Sequence, residues 1–68
     1  MDIDKLIKKV ARSRHCLQYS KDAQKYELLY SGKLNNMLAQ EVSQIIGSVV
    51  SLRKISLEEL DTSLANIT

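Results

Sequence analysis

Residues 34–52 read LNNMLAQEVSQIIGSVVSL, and this stretch decides the fold that the sequence predicts. Glu41 is its only charged residue. At 100° per residue, a group of apolar side chains falls within roughly 40° of one line along a helix. These are Leu34, Leu38, Val42, Ile45, Val49 and Leu52. Other apolar residues widen this face on both sides, so we expect it to contact more than one neighbour. The widening residues are Tyr30, Met37, Ala39, Ile46 and Val50.

The chain has 68 residues, which is enough for one small domain. A core of this size rarely supplies more than about 3–5 kcal/mol of net stability, so small domains often depend on disulfides, metals or association. A single cysteine, Cys16, excludes a disulfide within the chain. Association with another chain is therefore the predicted supplement. The absence of proline, tryptophan and phenylalanine, with only two glycines, favours helices.

We predict an all-α fold in which residues 1–68 form a single helical domain. Helical spacing indicates a first helix over about residues 3–18, with an apolar face formed by Ile3, Leu6, Val10 and Leu17. Ser20 is a candidate N-cap, with Asp22 in the first turn after it, for a second helix over about residues 21–52. The two helices would pack as an antiparallel helical hairpin.

An alternative break between the two helices lies at Ser31 and Gly32. Glycine is favoured just beyond the end of a helix because it adopts the left-handed conformation without a steric penalty. In this version the first helix covers residues 3–30 and the second covers residues 33–52. The core remains an antiparallel helical hairpin in both versions.

A short third helix is predicted over about residues 57–66. Ser56 and Glu59 have the spacing of a capping box, in which each side chain accepts a hydrogen bond from the other residue's backbone amide. Apolar residues follow at helical spacing, at Leu57, Leu60, Leu64 and Ile67. A helix this short is not stable alone. It either folds back on the hairpin or docks on another chain.

Catalysis is not expected. The only histidine and the only cysteine, His15 and Cys16, are sequence neighbours that would diverge by about 100° on a helix surface. A structural zinc site takes four such ligands, so no metal and no other cofactor is predicted. The apolar stretch contains polar residues that exclude a membrane span. Asp2 and Asp4 near the N-terminus argue against a signal peptide, so a cytoplasmic location is the expectation.

The first helix carries a basic surface. Its members are Lys5, Lys8, Lys9, Arg12 and Arg14. Such a surface is typical of the solvated outer face of an amphipathic helix, and it can also contact phosphates of a nucleic acid. A small dimeric nucleic-acid-binding regulator that uses Lys5, Lys8, Lys9 and Arg12 is therefore the alternative function.

The leading hypothesis is a small non-enzymatic interaction protein of the chaperone or adaptor type. It would associate with itself or with a helical protein partner through the apolar face of its long helix. Tyrosines on that face combine contact area with a polar tip, as interface residues often do. The predicted partner-binding residues are Tyr26, Tyr30, Leu34, Met37, Leu38, Val42, Ile45, Ile46, Val49 and Val50.

The span of residues 22–47 resembles the small co-chaperones that hold needle subunits in bacterial type III secretion systems. The resemblance lies in Asp22-Ala23, in Tyr26 three residues later, and in a long helix with Leu38, Val42, Ile45 and Ile46 near its end. It implies a two-helix hairpin that binds a larger helical-repeat chaperone and helps to shield the needle protein. The matching residues would then be packing positions of the hairpin.

Overall fold

The computed structural model describes residues 3–67 and contains both helices and strands. The elements in chain order are α1 (Ile3–Arg12), β1 (Cys16–Ser20), β2 (Lys25–Tyr30), α2 (Asn36–Ile46), β3 (Ser51–Lys54) and α3 (Leu57–Ala65). The predicted all-α fold is therefore wrong, and so is the antiparallel helical hairpin in both versions. The residues that the resemblance matched form a hairpin loop, β2 and α2 instead of two paired helices.

The three strands form one mixed sheet in the order β1-β2-β3. β1 and β2 are antiparallel, with Cys16 opposite Leu29 and Leu17 opposite Leu28. β2 and β3 are parallel, with Leu28 in register with Leu52. Parallel neighbours cannot be joined by a tight turn. Here the connection contains α2, which returns the chain to the end of the sheet where β2 begins, so that β3 can run parallel to β2.

The turn from β1 to β2 replaces the predicted start of the second helix. Ser20 does accept a hydrogen bond from the backbone N–H three residues later, as an N-cap would, with 3.3 Å between its Oγ and the nitrogen of Ala23. The chain then turns through Gln24, whose φ of 54° is left-handed, and pairs back along β1. A loop of this length commonly joins antiparallel strands. Ser20 therefore accepts the hydrogen bond expected of an N-cap, but it does so in the turn of a β-hairpin and not at the start of a helix.

Alternation along the strands gives the sheet two covered faces. Leu17 and Leu28 point to one face, where apolar residues of α1 and α2 form the larger core cluster, namely Leu6, Val10, Leu38 and Val42, with Val50 beside them. Cys16 and Leu29 point to the other face and pack against Leu60 of α3. The molecule is therefore a three-layer arrangement, with α1 and α2 on one side of the sheet and α3 on the other.

α1 ends at Arg12, six residues before the predicted end near residue 18. The N–H of Arg14 bonds to the carbonyl of Ala11, and the N–H of His15 bonds to that of Val10, at 3.1 and 3.3 Å. This pair of bonds is the Schellman motif, which needs a left-handed residue just past the helix. Arg14 supplies that residue with a φ of 61°. Leu17 therefore belongs to β1, although its spacing from Val10 matched a helix.

α2 covers Asn36–Ile46 rather than the predicted 21–52. The Asn35 side chain caps its start by accepting the N–H of Leu38 at 3.1 Å. Gly47 ends it with a left-handed φ of 78°, and its N–H bonds to the Ser43 carbonyl at 2.9 Å. Gly47 thus separates the helical part of the apolar stretch from the β-branched residues Val49 and Val50, which directly precede β3.

The third helix is confirmed as α3, Leu57–Ala65. The Ser56 hydroxyl accepts the N–H of Glu59 at 3.2 Å, which is the first half of the predicted capping box. Leu60 is only 1% exposed because it packs on Cys16 and Leu29 of the sheet. The helix thus docks on its own chain.

Cys16 is buried at the start of β1 and not on a helix surface, contrary to the prediction. Burial raises the pKa of its thiol, because desolvation disfavours the thiolate. We expect iodoacetamide to alkylate native Cys16 far more slowly at neutral pH than it alkylates the urea-unfolded chain, since the thiolate is the reactive form. The rate should increase as the pH is raised. Mass spectrometry of timed samples measures both rates. Equal rates in the native and unfolded chains would contradict this placement.

Candidate protein-interaction surface

β3 lies at an edge of the sheet. Within residues 3–67 it pairs with β2 alone, so its second side has no strand beside it. The N–H of Ile55, just after the strand, bonds to the Tyr30 carbonyl of β2 at 2.8 Å. Backbone groups alternate in direction along a strand, so those of Leu52 and Lys54 point away from β2. They form a short row of donors and acceptors that another strand can pair with.

Apolar side chains accompany this free edge. Leu52 is 50% exposed on the strand itself, and Val49 is 77% exposed just before it. Between the strand and α2 lies a shallow groove of about 320 Å³, which we call the α2–β3 groove. Its lining consists of Asn36, Ala39, Gln40, Ser43, Val50 and Leu52. The groove combines an apolar floor with amide and hydroxyl groups at its sides.

The predicted partner-binding residues are divided between the core and the surface. Leu38, Val42 and Val50 are buried in this chain's own core. Tyr26, Leu34 and Ile46 are partly buried and pack against it. Three are exposed, namely Met37 (83%), Ile45 (42%) and Val49. The structure adds Leu52, which the sequence placed on the apolar face without selecting it as a contact. Its signal was its position near the end of the apolar stretch, but its edge location depends on strand pairing.

Tyr30, the remaining predicted contact, is partly buried and stacks on His15 with 6.2 Å between ring centroids. His15 itself is buried and lies in the loop between α1 and β1, contrary to the predicted helix surface. Its Nδ1 is 2.8 Å from the Ser13 carbonyl, and its Nε2 is 3.1 Å from the backbone nitrogen of Asn35. A backbone N–H can only donate, so Nε2 accepts and Nδ1–H donates. This histidine therefore joins the end of α1 to the cap of α2.

β3 itself carries two positive charges, and Arg53 lines a groove together with Glu58 and Glu59 of α3. Arg53 and Lys54 are exposed on β3 and, within the described residues, pair with no carboxylate. A lysine on an edge strand discourages uncontrolled pairing between identical edges. It also favours a neighbouring strand that carries acidic residues, since opposite charges across a strand pair attract.

The basic residues of α1 do not form one uniform face. Lys9 forms an ion pair with Glu41 of α2, so it helps to hold the two helices together. Lys8 and Arg12 line a different groove, together with Arg14 from the loop that follows α1. Lys5 is exposed and lies outside the lining of that groove.

A third groove lies on the opposite face of the sheet, beside α3. It encloses about 650 Å³ and has a mainly polar lining that includes Gln18, Arg53, Glu58 and Glu59. Gln18 donates a hydrogen bond to Glu27 on this face, at 3.2 Å. No set of three His, Cys, Asp or Glu side chains suited to a metal ion occurs within residues 3–67.

Comparison of this chain with protein-family models, with curated proteins and with solved structures finds no match. None of the helices in residues 3–67 combines the length and the apolar character that crossing a bilayer requires.

Proposed function

We propose that this chain is a non-enzymatic protein-interaction module that binds an extended segment of a partner protein along β3. The observation that carries the proposal is the unpaired edge of β3, beside the α2–β3 groove and the exposed side chains of Val49 and Leu52. Addition of a strand to a free sheet edge is a common mode of peptide recognition. Backbone hydrogen bonds supply affinity, and pockets for alternate side chains supply specificity.

The bound segment would pair with the outward backbone groups of Leu52 and Lys54. Its side chains would alternate between the two faces of the extended sheet. Those on the face of Leu52 would enter the α2–β3 groove, where Ala39 and Val50 favour apolar groups. Side chains on the opposite face would lie near Arg53, which favours acidic groups there, whereas Lys54 shares the face of Leu52. The preferred partner is therefore an extended segment that alternates apolar and acidic residues.

A direct test uses a capped synthetic peptide, Val-Glu-Val-Glu-Val, and amide NMR spectra of the isotope-labelled protein. We expect the largest shift changes at the amides of Leu52 and Lys54. Lys54→Pro should abolish binding without unfolding the chain, because it deletes an outward N–H and proline is tolerated on the free side of an edge strand. Lys54→Gln is the matched control, since it removes the charge but keeps the N–H. It should weaken binding only modestly.

Two results would overturn the proposal. One is undiminished binding by Lys54→Pro, because strand addition at this edge requires that donor. The other is a set of shifted amides confined to surfaces away from β3. Light scattering of the purified protein shows whether the segment that binds β3 comes from a second copy of this chain or from a different protein. If the chain occupies its own edge, Lys54→Pro should convert an oligomer to a monomer.

Two hypotheses from the sequence stay predictions. A role as a needle co-chaperone is one of them, and its test is co-purification with a needle subunit. The helical hairpin that the resemblance implied is not formed, so it gives that role no support. Nucleic-acid binding through Lys5, Lys8, Lys9 and Arg12 is the other. A gel shift at low salt tests it, and binding that falls steeply with added salt is the expected result.

A further inference from the structure

A groove of about 400 Å³ lies between the C-terminal part of α1 and the end of α3, and none of its lining residues belongs to β3. We call it the α1–α3 groove. Its lining comprises Lys8, Ala11, Arg12, Arg14, Leu64 and Ile67. Leu64 and Ile67 also pack against the smaller core cluster, so they form a fixed apolar floor. Ala11 and the three cationic residues complete its lining. The volume is within the range of small-molecule sites.

Two of the three cations have no carboxylate partner within the described residues. Lys8 and Arg12 are exposed and are four residues apart on α1, which places them on one side of the helix. Arg14 is different, because its Nη2 lies 2.8 Å from Oδ1 of Asp61 on α3. That ion pair holds Arg14 beside the groove and neutralises it. Lys8 and Arg12 remain to attract an anion.

Arg14 occupies a position that favours glycine. It is the left-handed residue of the motif that ends α1, a conformation that disfavours a side chain relative to glycine. Residues held in such conformations are found preferentially at functional sites. Here the costly residue is an arginine that lines a cationic groove. The strained position and the charge thus occur at the same place.

We propose that the α1–α3 groove binds a single-chain amphiphile with a carboxylate head, that is, a long-chain fatty-acid anion. The carboxylate would accept hydrogen bonds from Lys8 and Arg12, which are stronger than neutral ones because both partners are charged. The alkyl chain would lie along Leu64 and Ile67. A free inorganic anion would leave this apolar floor uncovered, and a purely apolar ligand would leave the cations unused.

The test is a titration of the full chain with dodecanoate below its micelle concentration, followed by methyl and amide NMR. We expect saturable shifts at Ala11, Leu64 and Ile67. Acetate has the charge without the chain, and dodecyltrimethylammonium has the chain with the opposite charge, so both should bind at least about tenfold more weakly. The double variant Lys8→Gln/Arg12→Gln should lose affinity by a similar factor. Lys21→Gln/Lys33→Gln, which removes two exposed lysines that do not line the groove, is the matched control and should bind as the wild type does.

Arg14→Gly separates binding from folding. Glycine relieves the backbone strain at this position, which offsets the loss of an exposed ion pair, so the variant should be about as stable as the wild type. It also leaves the Asp61 carboxylate unpaired beside the groove, so it should bind dodecanoate more weakly. Several results would overturn the proposal. Acetate binding as tightly as dodecanoate would indicate a site for small anions only. Equal binding of the cationic amphiphile would indicate non-specific adsorption. Undiminished affinity of the Lys8→Gln/Arg12→Gln variant, or binding to anionic vesicles without binding of monomeric dodecanoate, would also contradict it.

Discussion

Replacing Leu28 with alanine is expected to lower the free energy of unfolding by about 2–5 kcal/mol. Leu28 is fully buried in the centre of the sheet, in the cluster that joins α1, α2 and β1. Truncation removes buried apolar surface and leaves a cavity that its neighbours fill only in part. Since a domain of this size has only about 3–5 kcal/mol in total, much of the variant should be unfolded at 25 °C. Urea denaturation followed by circular dichroism measures the change.

Leu52 provides the matched control, because it is in register with Leu28 on the neighbouring strand but half exposed. Leu52→Ala should change the free energy of unfolding by no more than about 0.5 kcal/mol. If Leu28→Ala does not fold at all, Leu28→Val gives a smaller and measurable loss. Equal losses of unfolding free energy at the two positions would contradict the burial of Leu28 and the exposure of Leu52.

Replacing His15 is the second large effect that we expect. His15→Phe retains an aromatic ring that can stack on Tyr30, but it removes the hydrogen bonds to the Ser13 carbonyl and the Asn35 N–H. A typical hydrogen bond contributes about 0.5–1.5 kcal/mol net, so losing these two part-buried bonds should cost about 1–3 kcal/mol. His15→Ala should lose more, because it also removes the packed ring. Chemical denaturation of both variants measures these losses.

Hydrogen exchange locates the effect of His15. Asn35 caps α2, so the first amides of that helix should exchange faster in His15→Phe than in the wild type, while those of α3 should keep their relative protection. Tyr30→Phe is the control, since it retains the stacked ring and both bonds of His15. Unchanged exchange at the start of α2 in His15→Phe would show that the histidine does not hold this cap.

The exposed surfaces were predictable only in part. Helical spacing placed Leu38, Val42, Ile45 and Val49 on one face, and the structure buries the first two in the core while it exposes the other two. Helical spacing predicts the direction in which each side chain points from the helix axis, but it does not predict where the helix ends. Because α2 stops at Gly47, Val49 no longer shares a helix with Val42. The α1–α3 groove could not be predicted from the sequence either, because its lining residues come from opposite ends of the chain.

The sequence by itself determined the local features. Ser56 and Glu59 specified the start of α3, and Ser20 marked a hydrogen-bonded turn. The first apolar repeat specified the body of α1 but not its end, because its last member, Leu17, lies in β1. Each depends on contacts between residues a few positions apart, which are legible in a short window. Only the tertiary structure decided that residues 16–30 form a hairpin and that β3 returns beside β2. The hydrogen bonds between these strands join residues that are not close neighbours in the chain. A short apolar run whose spacing fits both a helix and a strand becomes a strand where such pairing stabilises it.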